Sequence, residues 1–160
     1  MRSRTATWFE TKVRYDRMSE NGMATVNETY VVDALSYTEA ETFITEETSP
    51  LVSGEFNIKT ITQTTYKEIV FTDGAADDKW YKAKLQFIIF DEKTEKEKRS
   101  NVYYLVQASD LQAAVRNIEE FMGKSVITYS ICSVAETTIM EVYEHHAKLP
   151  EKDDKPEYEQ

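Results

Sequence analysis

A single cysteine, Cys132, among 160 residues excludes any intramolecular disulfide, so the chain must hold itself together by packing and suits a reducing compartment. Glycine is scarce as well. Gly22, Gly54, Gly74 and Gly123 stand alone at expected turns or caps, which leaves no glycine-rich loop to cradle a phosphate. Long apolar runs are missing. The longest, around Leu85–Phe90, falls far short of the roughly 20 residues of a membrane span. The opening Met-Arg-Ser-Arg-Thr-Ala-Thr runs into Trp8 with no apolar stretch of the signal-peptide kind. A basic segment is also absent: the net charge of −10 is spread as −4 over residues 1–72, −3 over 73–143 and −3 over 144–160. A cytoplasmic protein without a membrane association is expected, and nothing has the basic balance of a nonspecific nucleic-acid binder.

What the chain does have is internal similarity. Trp8-Phe9-Glu10-Thr11-Lys12-Val13-Arg14-Tyr15 aligns with Trp80-Tyr81-Lys82-Ala83-Lys84-Leu85-Gln86-Phe87 at an offset of 72. Both segments alternate. Phe9, Thr11, Val13 and Tyr15 share one side, as do Tyr81, Ala83, Leu85 and Phe87, the period of a half-buried strand. Tyr30–Ala34 then aligns with Tyr104–Ala108, each a second strand. The first pair of strands is joined through Asn21-Gly22, a favoured hairpin dipeptide, and the second through the charged run Asp91–Arg99, read as a solvated loop. A helix follows in each half. Ser36 and Glu39 have capping-box spacing ahead of the stripe Tyr37, Ala40, Phe43 and Ile44. Asp110 caps a clearer stripe of Leu111, Ala114, Val115, Ile118, Phe121 and Met122, closed by Gly123. Third strands over 56–61 and 129–134 lead into matched tails, Thr64–Ile69 and Thr137–Val142.

These signals predict an α+β fold made by tandem duplication of a β-β-α-β unit. Its sheets are mainly antiparallel, with one helix per repeat packed on one face. Residues 8–71 form the first repeat, 72–78 a linker, 79–143 the second repeat, and 147–160 an acidic tail with too little apolar content to pack. Strand order 2-1-3 puts the first strand of each repeat at the centre. One helix over three strands makes a thin core, so the repeats are expected to pack as one globular unit. Packing back to back and joining edge to edge into a six-stranded sheet both satisfy the pattern.

The segments Trp8–Tyr15, Glu20–Met23, Val32–Glu41, Asp78–Lys82, Leu105–Asp110 and Ala135–Met140 together resemble an uncharacterised domain-of-unknown-function family, number 4494. That family is found in Bacteroidetes and their phages or prophages. The resemblance covers roughly residues 8–143 and implies a bacterial or phage setting. It brings no activity with it.

No residue pattern points to catalysis, and no cofactor or metal is expected. His145 and His146 are adjacent, so they face different directions on a strand or helix and make no two-ligand clamp. Cys132 sits mid-strand without a histidine partner and reads as a buried or half-buried filler. The carboxylate pairs Glu46-Glu47, Asp77-Asp78 and Glu119-Glu120 fall on helix surfaces or loops. One constellation remains. Trp8, Lys12 and Arg14, and Trp80, Lys82 and Lys84, place an aromatic and two cations at alternate positions of one strand face, the combination with which sheets bind single-stranded nucleic acid. The competing role for Trp8 and Trp80 is to hold the repeats together. A non-catalytic interaction protein with a protein partner is therefore the first expectation, with nucleic-acid binding through the Trp/Lys faces as the alternative and an enzyme as the remote third.

Overall fold

A computed structural model describes residues 7–144. Among these, eight strands form two four-stranded sheets and two helices complete an α+β fold. The elements run β1 (Thr7–Ser19), β2 (Gly22–Ala34), α1 (Tyr37–Thr48), β3 (Phe56–Gln63), β4 (Tyr66–Val70), β5 (Lys79–Asp91), β6 (Lys96–Ala108), α2 (Leu111–Met122), β7 (Thr128–Glu136) and β8 (Ile139–Tyr143). No helix among the described residues is long and apolar enough to cross a membrane.

The first unit holds the sheet β3-β1-β2-β8 and α1; the second holds β4-β6-β5-β7 and α2. In each, the first strand of the hairpin lies between its hairpin partner and the strand that follows the helix, as the 2-1-3 order requires. Two separate sheets exclude the continuous six-stranded alternative. The sheets are similar in detail. A bulge interrupts β1 and β3 between Lys12 and Val13, and another interrupts β5 and β7 between Lys84 and Leu85.

The short strands depart from the sequence expectation. The matched tails are strands, and each adds to the other unit's sheet. β8 pairs parallel with β2 in the first unit, and β4 pairs parallel with β6 in the second. Among the described residues the compact units are therefore 7–64 with 139–144, and 65–138. The segments 8–71 and 79–143 read from the sequence differ from them by one exchanged strand each. Residues 72–78 lie wholly within the second unit, where Gln107 ties them down: its Oε1 accepts from the Thr72 amide at 3.0 Å and its Nε2 donates to the Asp77 carbonyl at 2.8 Å.

The exits are fixed by threonine. At the end of β3, the Thr64 amide and hydroxyl both donate to the Trp8 carbonyl, at 2.9 and 3.0 Å. At the end of β7, Thr137 does the same to the Trp80 carbonyl, at 2.9 and 2.8 Å. Each threonine, one residue past the end of its strand, ties that end to the start of the central strand. Two residues later the chain is in the other sheet.

Each helix covers the face that strand alternation assigned to it. Phe9, Val13, Tyr15, Tyr30, Val32 and Ala34 meet Ala40, Phe43 and Ile44 of α1 in one core. Ala83, Leu85, Phe87, Tyr104 and Val106 meet Ile118 and Met122 of α2 in the other. Thr11, the polar member of the first set, is buried and donates to the Tyr30 carbonyl at 3.2 Å. The caps form as expected, Ser36 Oγ accepting from the Glu39 amide and Asp110 Oδ1 from the Ala113 amide. Glu39 reaches back one residue further than the capping box requires, to the Leu35 amide.

Three local expectations are corrected. The first hairpin turns on Glu20 and Asn21, with Gly22 paired to Ser19 after them at φ +105°, a backbone conformation that favours glycine. The charged run Asp91–Arg99 is not one loop, because Lys96–Arg99 belong to β6 and only 92–95 turn. Gly123 ends α2 in a right-handed conformation, φ −63°, so it is no left-handed cap.

If the threonines fix the exits, removing only their hydroxyls has a defined effect. Thr64→Val and Thr137→Val each keep the amide bond and should each lower stability by about 1 kcal/mol, read from urea unfolding midpoints. No loss in either variant would show that the amides alone hold the exits.

Candidate functional site

The six residues singled out from the sequence lie where alternation places them, on the sheet faces turned away from the helices, but their exposure divides them. Lys12 and Arg14 on β1 are exposed, and Trp8 is half-buried. In the second unit Lys82 is exposed and Lys84 half-buried, whereas Trp80 is 2% exposed. Phe71 meets the Trp80 ring edge-on, centroids 5.6 Å apart and planes at 83°. A tryptophan so enclosed offers no face to a base. The structure thus keeps the cations of both constellations at the surface and withdraws one of the two aromatics.

Another aromatic stands beside the cations. Tyr103 on β6 pairs with Lys84 in the ladder, and Lys82 Nζ lies over its ring, 5.3 Å from the centroid. Next along the face, Arg99 donates from Nη1 to Gln86 Oε1 at 3.2 Å, and Gln86 Nε2 donates to Asn101 Oδ1 at 3.0 Å. Sequence reasoning did not choose Tyr103, because its weight fell on Trp80. It lost Arg99 by reading the residue as part of a loop. The usable signal was the register: a 13-residue β5 paired through its full length brings Arg99 opposite Ile88.

Cys132 is exposed rather than a buried filler. It occupies the β7 bulge, the residue between Ile131 and Ser133 that has no partner on β5. Tyr129 and Ile131 face the core, so alternation already turns Cys132 outward, and the extra residue moves the next inward position to Val134. Lys59 occupies the corresponding bulge of β3.

The helix-facing side of the first unit carries a polar cluster that the second lacks. Glu28 Oε1 accepts from the hydroxyls of Tyr15, at 2.8 Å, and Tyr30, at 2.6 Å. Burial first, then this carboxylate, raise both phenols above their ordinary range. Tyr143 on β8 stacks on Tyr30 at 5.9 Å and meets Phe43 at 5.3 Å. Burial, with Glu47, Glu141 and Glu28 nearby, pushes its hydroxyl up to about 12. At the ladder positions matching Tyr15 and Glu28 the second unit has Phe87 and Val102, an apolar pair. Both arrangements are packing solutions, one polar and one not. Among the described residues no three His, Cys, Asp or Glu side chains are grouped to hold a metal ion. His145, His146 and the 147–160 tail lie outside the described residues.

The chain belongs to the family described as a domain of unknown function (DUF4494), a model of which matches residues 7–145. No curated protein matches the sequence. The family shown by residues 7–145 agrees with the resemblance read from the strand and cap motifs, and it takes in the exchanged strand β8.

The raised Tyr143 hydroxyl has a thermodynamic consequence. The unfolded phenol releases its proton near pH 10 while the folded one keeps it to about pH 12, so the unfolded state binds fewer protons in that window and stability falls as pH rises. Tyr143→Phe should make that fall shallower, measured by urea unfolding at steps across the window. An unchanged slope would mean that Tyr143 titrates normally in the folded chain.

Proposed function

We propose that the chain is a non-catalytic interaction protein that holds a protein partner at one end of its second unit, in the cytoplasm of a bacterial or phage-infected cell. Exposed apolar surface supports this reading. The β5–β7 ladder ends at Ile88 and Thr128. Ile127 and Val126 leave the sheet where Ile89 and Phe90 run on into a two-stranded arm. Phe90 is 61% exposed, Val126 100% and Ile89 57%. Isolated apolar residues on a surface are ordinary, but large ones exposed together mark an association site. An open depression of about 710 Å³ at the arm is lined by Ile89 and Phe90 together with charged residues such as Asp91, Lys93 and Lys98.

Tandem duplication of one β-β-α-β unit, its final strand exchanged between the copies, accounts for several coincidences: the paired bulges, the twin threonine exits, the equivalent caps and the matched parallel strands, all at sequence offsets of 72–74. The nucleic-acid alternative in its first form needs both tryptophans as stacking platforms, and the burial of Trp80 counts against it.

The interaction reading is checked with full-length bait in affinity capture from a bacterial host, wild type beside an Ile89→Ser, Phe90→Ser, Val126→Ser variant of unchanged circular dichroism. A specific partner held by the wild type and reduced at least tenfold by the variant is the expected result. A partner held equally by both, or no specific partner, overturns it.

A further inference from the structure

One face of the second sheet departs from the acidity of the rest of the chain. Reading across β7, β5 and β6 on the side away from α2, four successive rows run from Ala135–Lys82–Leu105 to Thr128–Ile88–Arg99. None contains Asp or Glu. The two rows between are Ser133–Lys84–Tyr103 and Ser130–Gln86–Asn101. The first carboxylate beyond them, Glu97, is already paired with Arg99 at 3.2 Å. The first sheet differs at the corresponding rows. There Lys12 and Arg14 are flanked by Glu10 and Asp16 on the same strand face. On a chain of net charge −10, a cationic field survives best where no carboxylate lies within reach, because exposed charges farther apart than about 8–10 Å are largely screened by salt.

The remaining side chains on this face are of a particular kind. Lys82 and Lys84 project on the same side of β5 about 7 Å apart, and Arg99 adds a third cation. Tyr103 lies among them, its ring met by an ammonium. A cation at an aromatic face can be displaced by a base, which leaves the ammonium free to meet a phosphate. Gln86 and Asn101 add amide groups already aligned across the strands.

We propose that this face binds single-stranded nucleic acid, a base stacking on Tyr103, phosphates meeting Lys82, Lys84 and Arg99, and the amides of Gln86 and Asn101 meeting base edges. A single strand is favoured because its bases are free to lie on a ring, whereas a duplex keeps them stacked on each other. The assignment is independent of the partner site at the arm and uses Tyr103 in place of Trp80.

The test is fluorescence anisotropy of the purified full-length chain with a labelled single-stranded oligothymidylate, a duplex of the same length and heparin. Preference for the single strand is expected, with a log–log salt slope of about −2 if three phosphates are met. Tyr103→Leu should weaken binding about fivefold or more, the effect of losing one stacked base. Lys82→Glu with Lys84→Glu should weaken it by about tenfold or more, while Lys12→Glu on the first sheet leaves it unchanged. Circular dichroism checks that each variant folds, and the lysine variant decides if Tyr103→Leu does not. No binding at low salt overturns the proposal. So does equal binding of duplex or heparin, an unaffected Tyr103→Leu, or an equal loss with Lys12→Glu.

Discussion

Parallel pairing of β8 with β2, and of β4 with β6, is the constraint on which the rest of the structure depends. Without β8, the first unit would be a helix over three strands, a core of the size that is marginal in water. With it, Tyr143 stacks on Tyr30 and closes the core beside Phe43. The second unit gains Val70 in the same way. Each exchange rests on one threonine with two hydrogen bonds to a tryptophan carbonyl. That gives Trp8 and Trp80 a backbone duty as well as whatever their rings do.

Much of this was legible in the residues. Alternation in β1 and β5 correctly separated helix-facing from outward-facing side chains, because period two survives any partner arrangement. The existence of the hairpins, the helix N-caps at Ser36 and Asp110 and the central place of the first strand followed from the pattern of the residues, while the turn residues of the first hairpin and the end of α2 did not. The destination of the matched tails did not. A five-residue strand such as Ile139–Tyr143 carries enough pattern to be recognised as a strand and nothing to say which sheet it joins, since that is decided by non-local pairing. The bulge at Cys132 was equally unforeseen, and one extra residue in β7 reverses the side on which every later side chain falls.

The candidate site shows the same division. Lys82 and Lys84 could be placed on a face from sequence, but alternation gives direction and not cover, so Trp80 was put on the same footing as Trp8. Tyr103 and Arg99 acquired meaning only from the β5–β6 register. The two units differ most where packing leaves latitude. One sets a carboxylate between two phenols at the place where the other sets valine beside phenylalanine, and one outward face carries acids in the rows where the other has only neutral and basic side chains.

The exchanged strands also set an order on completion during synthesis. A chain emerging from the ribosome presents β1, β2, α1 and β3 first, yet that sheet waits for residues 139–143 before its fourth strand exists. The second unit needs nothing beyond residue 138, so the half made last can be finished first. Until then the edge of β2 around Thr29–Val32 is an open template for any other strand, including one from a neighbouring nascent chain.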